Sequence, residues 1–135
     1  MPTIARWYIK TALIYLILAL ATGMLVALDP AFLRSVPLGP VFIHLFVVGW
    51  LTQLIFGVAY WLFPRHSRER PYGPHPWMVP ASYIFLNAGL LLRVVGEPLH
   101  ATYPAWGMVL VVSGLLQALA VGLYAVYLWP RVKVK

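Results

Sequence analysis

Residues 41–63, VFIHLFVVGWLTQLIFGVAYWLF, run for 23 positions without a lysine, arginine, aspartate or glutamate. About 20 apolar residues in an α-helix cross the hydrocarbon core of a bilayer, so this stretch predicts a spanning helix. Pro40 precedes it and Pro64-Arg65 follows it; proline suits the first turn of a helix and disrupts its interior. Upstream, the run from Trp7 to Leu28 predicts another span, stopped at Asp29-Pro30 because the residue before a proline is pushed out of the helical region. Downstream, RHSRERPYGPHP (residues 65–76) reads as an aqueous loop. A third span over 77–95 ends in Gly96-Glu97-Pro98, and a fourth opens at Pro104 and reaches Leu128. The expected fold is an all-α integral membrane four-helix bundle, one membrane domain over residues 1–135, with spans at about 7–28, 41–63, 77–95 and 104–128.

Composition agrees. The chain is 62% hydrophobic and 10% charged, against roughly 25% charged residues in a soluble domain, and four spans leave no room for a separate module. The net charge of +7 does not gather on a helix face as a nucleic-acid surface would. Arg6, Lys10, Arg65, Arg68, Arg70, Arg131, Lys133 and Lys135 fall on one side of the predicted spans, and Arg34 and Arg93 on the other. The positive-inside bias therefore puts both termini and the second loop in the cytoplasm. The first apolar run is too long for a signal-peptide core and lacks a clear cleavage site, so it reads as a retained span. Trp7, Tyr8, Trp61, Trp77, Tyr103, Trp106, Tyr127 and Trp129 stand at span ends, as interfacial belts do. Gly114, Ala118 and Gly122 recur every four residues on the last span; packing within the bundle accounts for such a stripe first, and a homodimer or a larger complex second.

The chain has no cysteine, which removes disulfides, thiol catalysis, iron–sulfur ligation and Cys-based zinc sites. Its three acids, Asp29, Glu69 and Glu97, lie outside the predicted spans, and no serine or threonine has a base beside it, so nothing reads as a hydrolase. Gln53, Asn87 and Gln117 are polar groups deep in three spans, explained by interhelical hydrogen bonds. His66 and His75 sit among Arg65, Arg68 and Arg70 and read as solvated. His44 differs: it lies inside a span among Val41, Phe42, Leu45 and Val48, where an ionisable side chain marks a functional site or else bonds a loop carbonyl. His100, in the predicted loop EPLHATYP, comes to nearly the same depth on the side opposite the termini. Two imidazoles at one level can clamp a metal: a haem iron, or copper with added Met or carboxylate ligands. Arg93 and Arg34 share that layer and would suit propionates, the rival reading of Arg93 being an ion pair with Glu97 four residues on.

The segment HLFVVGWLTQLIFGVAYWLFPR, residues 44–65, with His44, Gly57, Ala59, Tyr60 and Pro64, resembles the second transmembrane helix of the haem-copper oxidase superfamily, nearest to its nitric oxide reductase and cbb-type branches. WYIKTALIYLILALATGM, residues 7–24, resembles the first helix of that branch. The likeness covers about the first half of the chain and implies a bacterial or archaeal cytoplasmic membrane. It implies that His44 is an axial ligand of a low-spin haem near the outer face. For a b-type haem held so, the second ligand expected in this chain is His100, with Met24, Met108 or a residue of a partner chain as alternatives; Met78, at the other interface, suits the role poorly. The later helices that carry the remaining histidines of such oxidases have no counterpart, which argues against a complete oxidase or reductase. The expectation is a small membrane cytochrome for electron transfer or diatomic gas binding, with quinol or a cytochrome c as redox partner. The rivals are a cofactor-free accessory or assembly subunit of a respiratory complex and a copper-handling protein.

Overall fold

The computed structural model describes residues 1–28, 37–66 and 71–132. The predicted Asp29-Pro30 turn, Arg34, Arg68, Glu69, Arg70, Lys133 and Lys135 lie outside the described residues. Four long helices make up the rest: α1, Thr3–Leu28; α2, Leu38–Leu62; α3, Met78–Thr102; and α4, Gly107–Leu128, which is flanked by 3₁₀ turns at Pro104–Trp106 and Trp129–Arg131. Each is long and apolar enough to cross a membrane.

Successive helices are antiparallel neighbours. Where α2 crosses α1, a Cβ on Gly57 would stand 2.9 Å from the Tyr8 side chain, and one on Gly49 would stand 2.8 Å from Tyr15. Where α3 crosses α4, a Cβ on Gly89 would stand 2.9 Å from the Ser113 carbonyl oxygen, and one on Gly96 would stand 2.8 Å from Leu110. Both chain termini and the α2–α3 connection therefore share one end of the bundle, the terminal end; the α3–α4 connection closes the far end.

The buried positions on α1 are Ala5, Tyr8, Ala12, Tyr15 and Ala19, alternating steps of three and four that keep one seam on a neighbouring helix. On α2 the buried positions are Val41, Leu45, Gly49, Gln53, Gly57 and Tyr60, and all but the last step are four residues. In an α-helix of 3.6 residues per turn each step of four advances the face by about 40°, so the stripe would wind off the core. Between Leu45 and Thr52 the helix widens into a π-helical stretch, in which the Thr52 hydroxyl donates to the Val47 carbonyl five residues back at 2.9 Å. The wider turn returns the stripe to the core.

The third span does not end at Gly96-Glu97-Pro98 as the sequence predicts; α3 carries Pro98 in its interior and continues to Thr102. Pro98 costs one backbone bond near the end of the helix, and the last turn still closes through Tyr103 N–H to the Leu99 carbonyl at 2.8 Å. The stop is Pro104, which leaves Tyr103 extended at φ −126°. His100 is thus a residue of the last helical turn, not of a loop.

Two further readings are corrected. Trp7, Trp61, Trp77, Tyr103 and Trp129 are exposed, as belt residues should be, but Tyr8 and Tyr127 belong to the core. In the stripe on α4, Gly114 has a neighbour on another helix, the Arg93 guanidinium, 3.8 Å from where a Cβ would stand. Ala118 and Gly122 face outward, and nothing lies within 4 Å of a Cβ on Gly122.

Candidate functional site

Mid-bundle, Asn87 on α3 gathers three helices. The Tyr15 hydroxyl on α1 donates to Asn87 Oδ1 at 3.0 Å, Gln53 Nε2 on α2 donates to the same oxygen at 3.1 Å, and Asn87 Nδ2 donates to the Tyr83 carbonyl at 2.8 Å. The fourth helix joins through Ser82 Oγ, which donates to the Ala120 carbonyl, and Ser113 Oγ, which donates to the Gly89 carbonyl, both at 2.7 Å. Gln53 and Asn87 thus bond between helices as predicted, whereas Gln117 donates to Ser113 on its own helix at 3.1 Å. These bonds meet each polar group's needs and leave the network structural.

The chemistry-bearing residues stand beyond that level, toward the far end. His44 lies nine residues before Gln53 and His100 thirteen after Asn87; at about 1.5 Å rise per residue His100 is about 6 Å, one turn, further out than His44. Arg93 and Glu97, six and ten residues beyond Asn87, bracket the His44 level. His44 is half-buried, and its Nδ1 lies 2.8 Å from the Pro40 carbonyl oxygen one turn earlier. Because a carbonyl oxygen only accepts, Nδ1 carries the proton and Nε2 the lone pair. Ligating histidines are commonly oriented by this kind of backbone bond, and the same bond also satisfies an imidazole that ligates nothing. His100 is exposed, its ring edge 3.3 Å from where a Cβ on Gly107 would stand.

Arg93 Nη1 donates to Glu97 Oε1 at 2.9 Å, so the rival ion-pair geometry is present, with both side chains largely buried. Its Nε is buried without a hydrogen-bond partner among the described residues. Met24 and Met108 are strongly exposed on the outer surface. Among the described residues no three His, Asp or Glu side chains converge.

Comparison with family models, with curated proteins and with solved structures finds no match to the chain.

At the terminal end, sequence reasoning missed Arg131, which it counts only as a topology charge. Arg131 is 4% exposed and serves the last turn of α2: Nε donates to the Pro64 carbonyl at 2.8 Å, and Nη2 donates to the Phe63 and Tyr60 carbonyls at 2.8 and 3.0 Å. Its guanidinium also lies over the Tyr60 and Tyr127 rings, at 5.2 and 5.6 Å from their centroids. A cation on the orphan carbonyls of a helix C-terminus answers both their hydrogen-bonding need and the helix dipole. His66, expected to be solvated, instead packs on Tyr127 with centroids 5.3 Å apart and against Gly73. Gly73 adopts φ +73°, which a side chain would disfavour. His75 is exposed.

Proposed function

We propose that the chain is a small multi-pass membrane cytochrome that binds one b-type haem near its far end through His44. The single observation that carries the reading is the hydrogen bond from His44 Nδ1 to the Pro40 carbonyl, which leaves Nε2 as an oriented donor inside an apolar helix. The π-helical stretch that begins at the next residue supports it, since such stretches recur at functional sites. The chemistry of the donors suits a haem: His44 would supply one nitrogen to the iron, His100 on the last turn of α3 would supply a second, and Arg93, whose Nε has no hydrogen-bond partner among the described residues, would pair with a propionate, as Arg34 is expected to do from its place in the sequence. A haem so held supplies one-electron redox chemistry or, with an open position, gas binding. The protein's part is to hold the imidazole tautomer, keep the iron in an apolar surround and neutralise carboxylates. The excess of basic residues at the terminal end supports cytoplasmic termini, and in the bacterial or archaeal cytoplasmic membrane of this reading His44 would lie near the outer face, within reach of a quinol or a cytochrome c.

The test is the visible spectrum of the chain purified in mild detergent from haem-supplied cells. Sharp α and β bands on dithionite reduction, at near one haem per chain by pyridine haemochrome, are expected. A folded, colourless protein that stays empty when haem is added would overturn the reading. A second reading, a cofactor-free subunit of a larger respiratory complex or homodimer, is favoured by one observation: Ala118 and Gly122 lie outward in a shallow apolar groove with Met78, Leu115 and Val126. Colourless protein that co-purifies with partner chains and loses them on Gly122→Leu supports that reading.

A further inference from the structure

Helices α2 and α4 run parallel, and both end in a tyrosine followed closely by Pro-Arg: Tyr60-Trp61-Leu62-Phe63-Pro64-Arg65 and Tyr127-Leu128-Trp129-Pro130-Arg131. The rings of Tyr60 and Tyr127 pack 5.8 Å apart, which sets the two Pro-Arg ends side by side. Between them and the start of the chain opens a cavity of about 200 Å³ with Tyr60, Trp61, Arg65, Pro71, Tyr72 and Arg131 in its wall. Among the described wall residues stand two arginines, two tyrosines and no carboxylate, a lining that favours an anion. Arg131 is almost wholly buried, yet its Nη1 has no hydrogen-bond partner among the described residues, although Nε and Nη2 are engaged. A buried guanidinium N–H without an acceptor is costly, and an anion oxygen is the acceptor it lacks.

We propose that this cavity binds a phosphate oxyanion, with Arg131 held by the α2 carbonyls as its fixed donor and Arg65 closing over it from the exposed side. The cavity's place at the helix ends, beside exposed Trp61 and Trp129, is the depth at which lipid headgroups lie. The same chemistry would take free phosphate. A lipid so bound would tie the ends of α2 and α4 together, because the two arginines come one from each helix.

The experiment follows the thermal midpoint of the full chain in zwitterionic detergent. Arms receive phosphatidylglycerol, phosphatidylcholine, inorganic phosphate, or chloride at matched ionic strength. Binding to the folded state alone raises the midpoint, and a rise of about 5 °C is expected with phosphatidylglycerol. Arg65→Gln should lose at least about half of that rise while leaving the lipid-free midpoint unchanged, and Arg6→Gln, an exposed arginine on α1 outside the cavity, should keep it. A rise with phosphatidylglycerol alone supports a headgroup site, and an equal rise with inorganic phosphate supports a free-anion site. Equal rises with both lipids, no rise with either anion, or an undiminished rise in Arg65→Gln would overturn the proposal.

Discussion

At the terminal end Tyr8, Tyr60, Tyr124, Tyr127 and Arg131 are all buried, and the bonds they anchor run between helices: Tyr8 to Val79 and Ser82, Tyr124 to the Phe56 carbonyl at 2.5 Å, Arg131 to the end of α2. At the far end Arg93 pairs within its own helix, His44 bonds its own helix, and His100 is exposed. Aromatic rings reinforce the contrast, with Phe56 stacked on Tyr124 at 3.8 Å and Tyr8 edge-on to Phe56, Tyr83 and Tyr124. At the terminal end most of these bonds join helices, whereas at the far end they stay within one helix. The stability of the bundle should therefore depend more on the terminal half than on the far half.

That division can be broken or sharpened by substitution. Arg131→Ala removes charge-assisted bonds to three carbonyls at the end of α2, so a loss of about 3 kcal/mol or more is expected in reversible unfolding in mixed micelles; a loss below 1 kcal/mol would deny the terminal half its role. Gly57→Ala sets a methyl 2.9 Å from Tyr8 and 3.1 Å from the Ala5 carbonyl, for an expected cost of about 2 kcal/mol, while Gly122→Ala, with open space around it, should fall within about 0.5 kcal/mol of the parent. Asn87→Leu should cost about 1 kcal/mol, in keeping with single polar contacts between membrane helices. Glu97→Gln keeps an oxygen that can accept from Arg93 Nη1 and should change stability by less than about 1 kcal/mol, since a pair along one helix contributes little. A loss for Glu97→Gln as large as that for Arg131→Ala would erase the difference between the halves.

Much of this frame was legible in the chain. The apolar run 41–63 predicts α2, and lengths of this kind predict all four helices because lipid permits few alternatives for the backbone. The helix ends were harder. Gly96-Glu97-Pro98 carries every local mark of a stop, yet α3 continues past it, packed at Gly96 on Leu110 of α4. The π-helical stretch leaves no composition signal; only the run of four-residue steps from Val41 to Gly57 hints at it, and those steps show once burial is known. Arg131 reads as one of several terminal basic residues because its carbonyl partners lie more than sixty residues earlier, and no spacing rule links them. The same distance hides Tyr8, whose position fits a belt and whose hydroxyl serves α3. At the candidate site, the sequence singles out His44 from its place in an apolar run, and the structure adds the tautomer through Pro40. For His100 the depth expectation failed by a turn, since helix α3 carries it outward.

The most direct test of the account compares reduced-minus-oxidised spectra and haem content of the parent with those of His44→Ala and Arg131→Lys, each purified in mild detergent. The account predicts that His44→Ala stays folded and loses the α and β bands, whereas Arg131→Lys is less stable but keeps near one haem per chain while folded. A His44→Ala protein with full haem content and an unchanged spectrum would contradict it.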